Sequence, residues 1–199
     1  NVSVISNPLS FYPEEAALLN NKQVIAVGRM TYQKGFDLLI ESWQLVVRKH
    51  PDWILKIYGG GDQGIYMSMI RKLGLSDSCF LENGTSSIAE KYNDSSIFVL
   101  SSRYEGFPLV LGETMAYGVP PVSFMCPCGP RDIIIDGKNG LLVENGNVKL
   151  LAEGICLLIE DDVKRKEMGR NARRDVKKFD LENIAKQWKE LFESIQPVE

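Results

Sequence analysis

Short apolar runs rich in Val, Ile and Phe alternate along the chain with stretches in which apolar residues return every three or four positions. The first pattern suits strands in a parallel sheet, the second amphipathic helices. Six runs read as strands: 23–28 (QVIAVG), 53–59 (WILKIYG), 79–83, 96–102, 120–124 and 140–144. Between the first two, Phe36, Leu39, Ile40, Trp43, Val46 and Val47 form one stripe, with Gly35 before it and Pro51 after it. Further helices are expected near 64–73, 86–92 and 108–117, with Gly74 and Gly118 as stops. The segment 147–195 reads as helices, the last capped by Asp180. The alternation predicts the α/β class: a Rossmann-like, doubly wound parallel sheet of about six strands.

In an open parallel sheet, ligands bind beyond the carboxyl ends of the strands, so the loops there are the candidates for chemistry. The loop after the first run holds Arg29, Lys34 and Gly35, whose cations suit a diphosphate. The loop after the fourth holds Glu105, Gly106, Phe107, Pro108 and Leu109, with Glu113 further along. Pro108 fits the first turn of a helix starting near Phe107 or Pro108, whose free N–H groups can hold an anion or a sugar oxygen. Two carboxylates at different depths suit the hydroxyls of a sugar and a ribose. Against this stand the plain readings: solvated charges for Arg29, Lys34 and Glu113, and a capping role for Glu105.

The loop after the second run, GGGDQG, places Gly59, Gly61 and Gly64 in the spacing of a dinucleotide fingerprint, with Glu82 about 20 residues on. Asn83, Gly84 and Thr85 suit contacts to a nucleobase or a turn capped by Thr85 or Ser86. Gly129 and Pro130 open another short helix near Asp132, or lie in a plain loop. His50 is expected to be structural, at a helix C-terminus, and Trp188 a core or interface anchor.

At 199 residues, 44% hydrophobic and 25% charged, the chain has the make-up of one globular domain, and no apolar run approaches the ~20 residues that span a bilayer. A formal charge of −3 gives no general attraction to nucleic acid or anionic lipid. Cys79, Cys126, Cys128 and Cys156 show neither zinc-ligand spacing nor a disulfide framework, so reduced thiols and no metal site are expected. The start, NVSVISNPLSFYPEE, has no basic leader and no initiator Met, as in a piece excised from a longer protein.

The segments AVGRMTYQKGFDLLIESW, LKIYGGGDQ, IFVLSSRYEGFPLVLGETMAYGVPPV and IIIDGKNGLLV, in this order, resemble the C-terminal half of GT-B glycosyltransferases of family 4, over about residues 1–195. The resemblance implies a retaining, metal-independent transferase that needs no cofactor and takes its sugar from a nucleoside diphosphate donor, UDP- or GDP-linked. It implies phosphate-binding roles for Arg29 and Lys34, with Glu105 facing the transferred sugar and Glu113 the ribose. Backbone contacts to the donor fall on Gly106, Phe107, Pro108 and Leu109, and further donor-site positions on Gly28, Gly59, Gly61 and Asn83. CPCGPRD departs from the family's Gly-Gly turn and following Glu, keeping Gly129 and offering Asp132 for the acid. The resemblance divides the chain into a crossover at 1–22, a donor-binding domain at 23–180 and a final helix at 181–199 that packs back on an N-terminal domain. The acceptor, a glycan or glycolipid, would bind largely through that other domain, so this half alone is expected to bind nucleotide and transfer little. A cytoplasmic location, with peripheral association of the full-length protein at the inner membrane face and no nucleic-acid partner, completes the expectation. Two other classes stand beside it: an NAD-binding oxidoreductase domain built on Gly59, Gly61, Gly64 and Glu82, and a non-catalytic binding module of the same fold.

Overall fold

The six apolar runs pair into one parallel sheet. The structure, a computed structural model, describes residues 3–9 and 11–195. Its strands are β1 (Gln23–Val27), β2 (Ile54–Tyr58), β3 (Cys79–Glu82), β4 (Ile97–Leu100), β5 (Pro121–Phe124) and β6 (Leu141–Val143). Each lies inside its expected run. The helices are α1 (Phe36–Lys49), α2 (Gly64–Lys72), α3 (Ile88–Asn93), α4 (Leu109–Ala116), α5 (Pro130–Ile133), α6 (Val148–Glu160), α7 (Asp162–Val176) and α8 (Leu181–Ile195).

The strand order is β3-β2-β1-β4-β5-β6, with every pairing parallel. The chain therefore builds outward from β1 to β3, then returns to lay β4 against the other side of β1, pairing Val24 with Ile97 and Ile25 with Phe98. Alternation along β1 sends Val24 and Ala26 into a core shared with α1, α2 and α6, and Ile25 into a second core with α3, α4 and α7. Both faces of the sheet are covered, which is why its strands are near-continuous apolar runs.

Helix ends follow local chemistry. Asn147 Oδ1 accepts from the Leu150 N–H, Asp161 Oδ1 from Lys164 and Asp180 Oδ1 from Asn183, capping α6, α7 and α8. Gly74 and Gly118 follow α2 and α4 with φ of +70° and +74°. Two helix starts differ from expectation. α3 begins at Ile88 because Thr85 Oγ1 takes the Ser87 N–H in a turn ahead of the helix, 3.0 Å, and Ser87 occupies the cap. α4 begins at Leu109, since Pro108 has ψ 88° and is the cap residue, not the first helical one.

The segment before β1 is ordered without regular structure: the Leu9 N–H donates to Phe179 O, the Ala17 N–H to Tyr117 O, and the Tyr12 hydroxyl to Arg173 O. Residues 1, 2 and 10 of the expected crossover, and 196–199 of the final helix, lie outside the described residues. Trp188 is no core residue: it is 45% exposed on α8 and stacks on Phe192. No helix among the described residues is long and apolar enough to cross a membrane.

Candidate nucleotide-sugar site

Because β1 and β4 are neighbours reached from opposite halves of the sheet, the loops after them flank its switch point, where α/β folds bind ligands. These two loops are stitched together. Lys34 ends a short 3-10 turn, Tyr32–Lys34, and Gly35 follows with φ +61°. A Cβ on Gly35 would lie 2.1 Å from the carbonyl oxygen of Ser101, so only glycine lets the first loop approach the fourth strand this closely. Ser101 Oγ donates to Lys34 O at 2.9 Å, and the Arg103 N–H donates to Gln33 O at 2.8 Å. The Arg103 fork grips Asp37 at 2.9 and 2.6 Å and lies 3.9 Å over the Tyr32 ring.

Inside this rim, the Lys34 stem lies across Gly28, where a Cβ would come within 3.1 Å of its methylenes. Lys34 Nζ reaches Glu105 Oε1 at 2.7 Å, with side chains 16% and 7% exposed. Ser102 Oγ donates to the same oxygen at 2.6 Å. The lysine charge is thus balanced at close range by a carboxylate whose position is fixed by two donors. From the next strand end, Gly129, with φ +78°, closes on this loop: a Cβ there would sit 2.6 Å from Pro108 Cδ and 2.9 Å from Gly106 O. Among the described residues the N–H groups of Gly106, Phe107, Leu109 and Val110 meet no protein acceptor, which leaves donors at the positive end of α4. Phe107 turns its ring onto Phe179, centroids 5.4 Å apart.

Glu113, on the second turn of α4, accepts from the buried Tyr92 hydroxyl at 3.1 Å. Burial, then the neighbouring Glu113 charge, pushes the Tyr92 hydroxyl pKa far up, keeping it a donor.

Arg29 is exposed, and among the described residues its guanidinium makes no hydrogen bond or ion pair, whereas Lys34 is paired with Glu105. Asn83 is also exposed, and adjoining Gly84 lies against the second loop, where a Cβ would be 3.9 Å from the Gly60 N.

The glycines of that second loop are taken up by packing. A Cβ on Gly59 would lie 1.7 Å from Gly28 O, the Met30 N–H donates to Gly60 O, and Gly61, with φ +120°, lies against Met30. Asp62 Oδ1 takes the Gly64 N–H at 2.8 Å, at the end of α2 that a dinucleotide's pyrophosphate would use. The loop follows β2, one strand away from the switch point. These contacts explain the glycines without NAD.

Sequence reasoning missed Ser102 and Tyr92. The only signal for Ser102 was its place at a strand end three residues before Glu105, and for Tyr92 there was none. One grouping also escaped it: His50, Cys156 and Glu160 bring one ligand atom each within 4.8 Å, at the C-terminal ends of α1 and α6. His50 already engages Glu160 at 3.0 Å, and burial raises the Cys156 thiol pKa and holds it protonated. A cavity of about 320 Å³, lined by Met67, Ile70 and Phe80, lies between α2 and the edge strand β3, away from Lys34 and Glu105.

The family model described as Glycosyl transferases group 1 matches residues 12–175, which takes in every residue of the cleft. An uncharacterized glycosyltransferase of Haemophilus influenzae is 35% identical over 191 residues, 95% of this chain and 54% of its own length. The poly(ribitol-phosphate) alpha-N-acetylglucosaminyltransferase of Staphylococcus aureus is 35% identical over 196 residues, 98% of this chain and 40% of its own. A crystal structure of Staphylococcus aureus TarM with alpha-GlcNAc-glycerol and UDP superposes with a TM-score of 0.88 at 35% identity, over 96% of this chain and 39% of that one. The chain spans about half the length of the curated relatives it matches. With a six-stranded parallel sheet of 3-2-1-4-5-6 order, the fold shared with a UDP-bound enzyme and the family model covering most of its length, the chain belongs to the glycosyl transferases group 1 family, with the GT-B type of domain.

Proposed function

We propose that this chain is the donor-binding half of a retaining, metal-independent glycosyltransferase that uses a UDP- or GDP-linked sugar and passes it to a glycan or glycolipid. The observation that carries the proposal is the Lys34–Glu105 pair, 2.7 Å apart at the switch point and beside the free N–H groups that open α4. As the bond to phosphate breaks, negative charge grows on the leaving diphosphate. Lys34, the exposed Arg29 and those N–H groups are the donors available to that charge, and whatever part of their interaction strengthens as the bond breaks stabilises the transition state more than the ground state. Glu105, already held by Lys34 and Ser102, is set to accept from hydroxyls of the transferred sugar, and Glu113 from those of the ribose. The UDP in the TarM structure supports a nucleoside diphosphate as the ligand. The exposed Trp188–Phe192 face of α8 supports a second domain packing there, the acceptor site lying largely on that domain.

Titration calorimetry with UDP, GDP, ADP and NAD tests the donor site. One nucleoside diphosphate is expected to bind. Arg29→Ala should weaken it about tenfold or more, the loss of a charged hydrogen bond being worth ~1.5–3 kcal/mol. Arg29 is the cleaner probe, since it is exposed, whereas Lys34→Ala also strands the buried Glu105 carboxylate. Preference for NAD, or no nucleotide binding at all, would overturn the proposal. With the full-length protein, activity surviving a chelator and a product keeping the donor's anomeric configuration test the remaining parts.

A further inference from the structure

The two carboxylates of the cleft are built alike. Glu105 has Oε1 held by Lys34 and Ser102, and Glu113 has Oε2 held by Tyr92, while the other oxygen of each meets no protein donor among the described residues. The holder of Glu113 comes from a different element, α3, and its ring is fixed: Tyr92 is 1% exposed and lies 5.7 Å from the Tyr117 ring. We propose that Tyr92 is a positioning residue for ribose recognition, its hydroxyl holding Glu113 Oε2 so that the carboxylate meets the two ribose hydroxyls in one fixed geometry.

The physical reason is the freedom of a glutamate. Three side-chain torsions must be frozen before both oxygens can face a vicinal diol, and freezing them at the moment of binding subtracts from affinity. A rigid phenol that freezes them beforehand removes that cost. Tyr92 suits the task because its ring is buried and burial raises its hydroxyl pKa, which keeps it a donor. α3 also carries the chain from the loop of Asn83 and Gly84 toward β4, so one short helix joins the segment read as a base contact to the ribose carboxylate.

The inference rests on the donor-site proposal, and the test separates the two. Calorimetry compares the nucleoside diphosphate bound best in the screen above with its 2′,3′-dideoxy form, on the wild-type chain and on Tyr92→Phe. The readout is the ratio of the two Kd values within each protein, which cancels any loss of folded material. In the wild type the ribose form should bind more tightly, and in Tyr92→Phe that ratio should fall about tenfold, ~1.4 kcal/mol. On a Glu113→Gln background Tyr92→Phe should lower it little further, because Tyr92 acts only through that carboxylate. A ratio unchanged by Tyr92→Phe, or a wild type that does not distinguish the two ligands, would sink the inference and leave the donor site standing. A wild type that binds no nucleoside diphosphate would sink both.

Discussion

Gly35 and Gly106 lie within the same cleft and make opposite demands. At Gly35 a methyl group meets both a left-handed backbone, φ +61°, and the Ser101 carbonyl at 2.1 Å, so Gly35→Ala must separate the two loops that form the site. Urea unfolding should show a loss of roughly 2–4 kcal/mol. At Gly106 a Cβ meets nothing within 4 Å. Gly106→Ala should leave the unfolding curve nearly unchanged and weaken nucleotide binding, because the added methyl occupies the face on which a ligand would lie. The thiols divide as sharply. Burial pushes Cys79 up to about 12 and Cys126 up to about 11, and raises Cys156, whereas Cys128 is exposed. Iodoacetamide at neutral pH should therefore add one equivalent to the native chain, found by mass spectrometry on the peptide holding Cys128. At this scale the places of Lys34 and Glu105 in loops after strands, and of Glu113 within the helix that follows, were legible in the sequence. Their holders, Ser102 and Tyr92, were not, because a serine or a tyrosine carries no mark of what it will donate to.

Element boundaries were legible wherever the deciding group is local. Asp180 caps α8 as its spacing before LENIAKQW implied, and Gly74 and Gly118 stop their helices. Asp161→Ala removes the cap of α7 and should cost about 1 kcal/mol, a fall of ~2–4 °C in Tm for a chain of this size. Pro108 was misplaced by one position, since its ring fixes φ and leaves ψ free, and ψ decides between cap and first turn. α8 differs in kind from α1. The stripe of α1 is fully buried from Phe36 to Val46, while Ile184 is the only buried residue of α8 among those described. Hydrogen exchange should find the α8 amides opening well before those of α1, and addition of the rest of the protein should slow them if a second domain covers Trp188 and Phe192.

The whole molecule is held across its cleft by pairs far apart in sequence, and one of these gives a pH dependence. Burial alone would raise the Asp37 carboxyl, but the hydrogen bonds and charge of Arg103 outweigh it and hold the pKa below its ordinary value of 3.8. A lowered folded pKa means that the stabilisation is complete above that ordinary value and is lost as pH falls through the folded one. Asp37→Asn should thus cost up to about 1 kcal/mol at pH 7, a small figure because solvent screens a group 36% exposed, and the gap from wild type should close in strong acid. By itself the sequence determined which residues are strand, which are helix and which stand at strand ends, because a period of two or 3.6 and a capping side chain are read within a few residues. It left open whether the glycines after β2 hold a dinucleotide or pack against a neighbouring loop. Only the tertiary structure decided how that loop packs: it set β4 beside β1, placed Gly59 under the Gly28 carbonyl, and paired Lys34 with Glu105 across 71 positions. Contacts at such separations depend on the order of strands in the sheet, and no local pattern encodes that order.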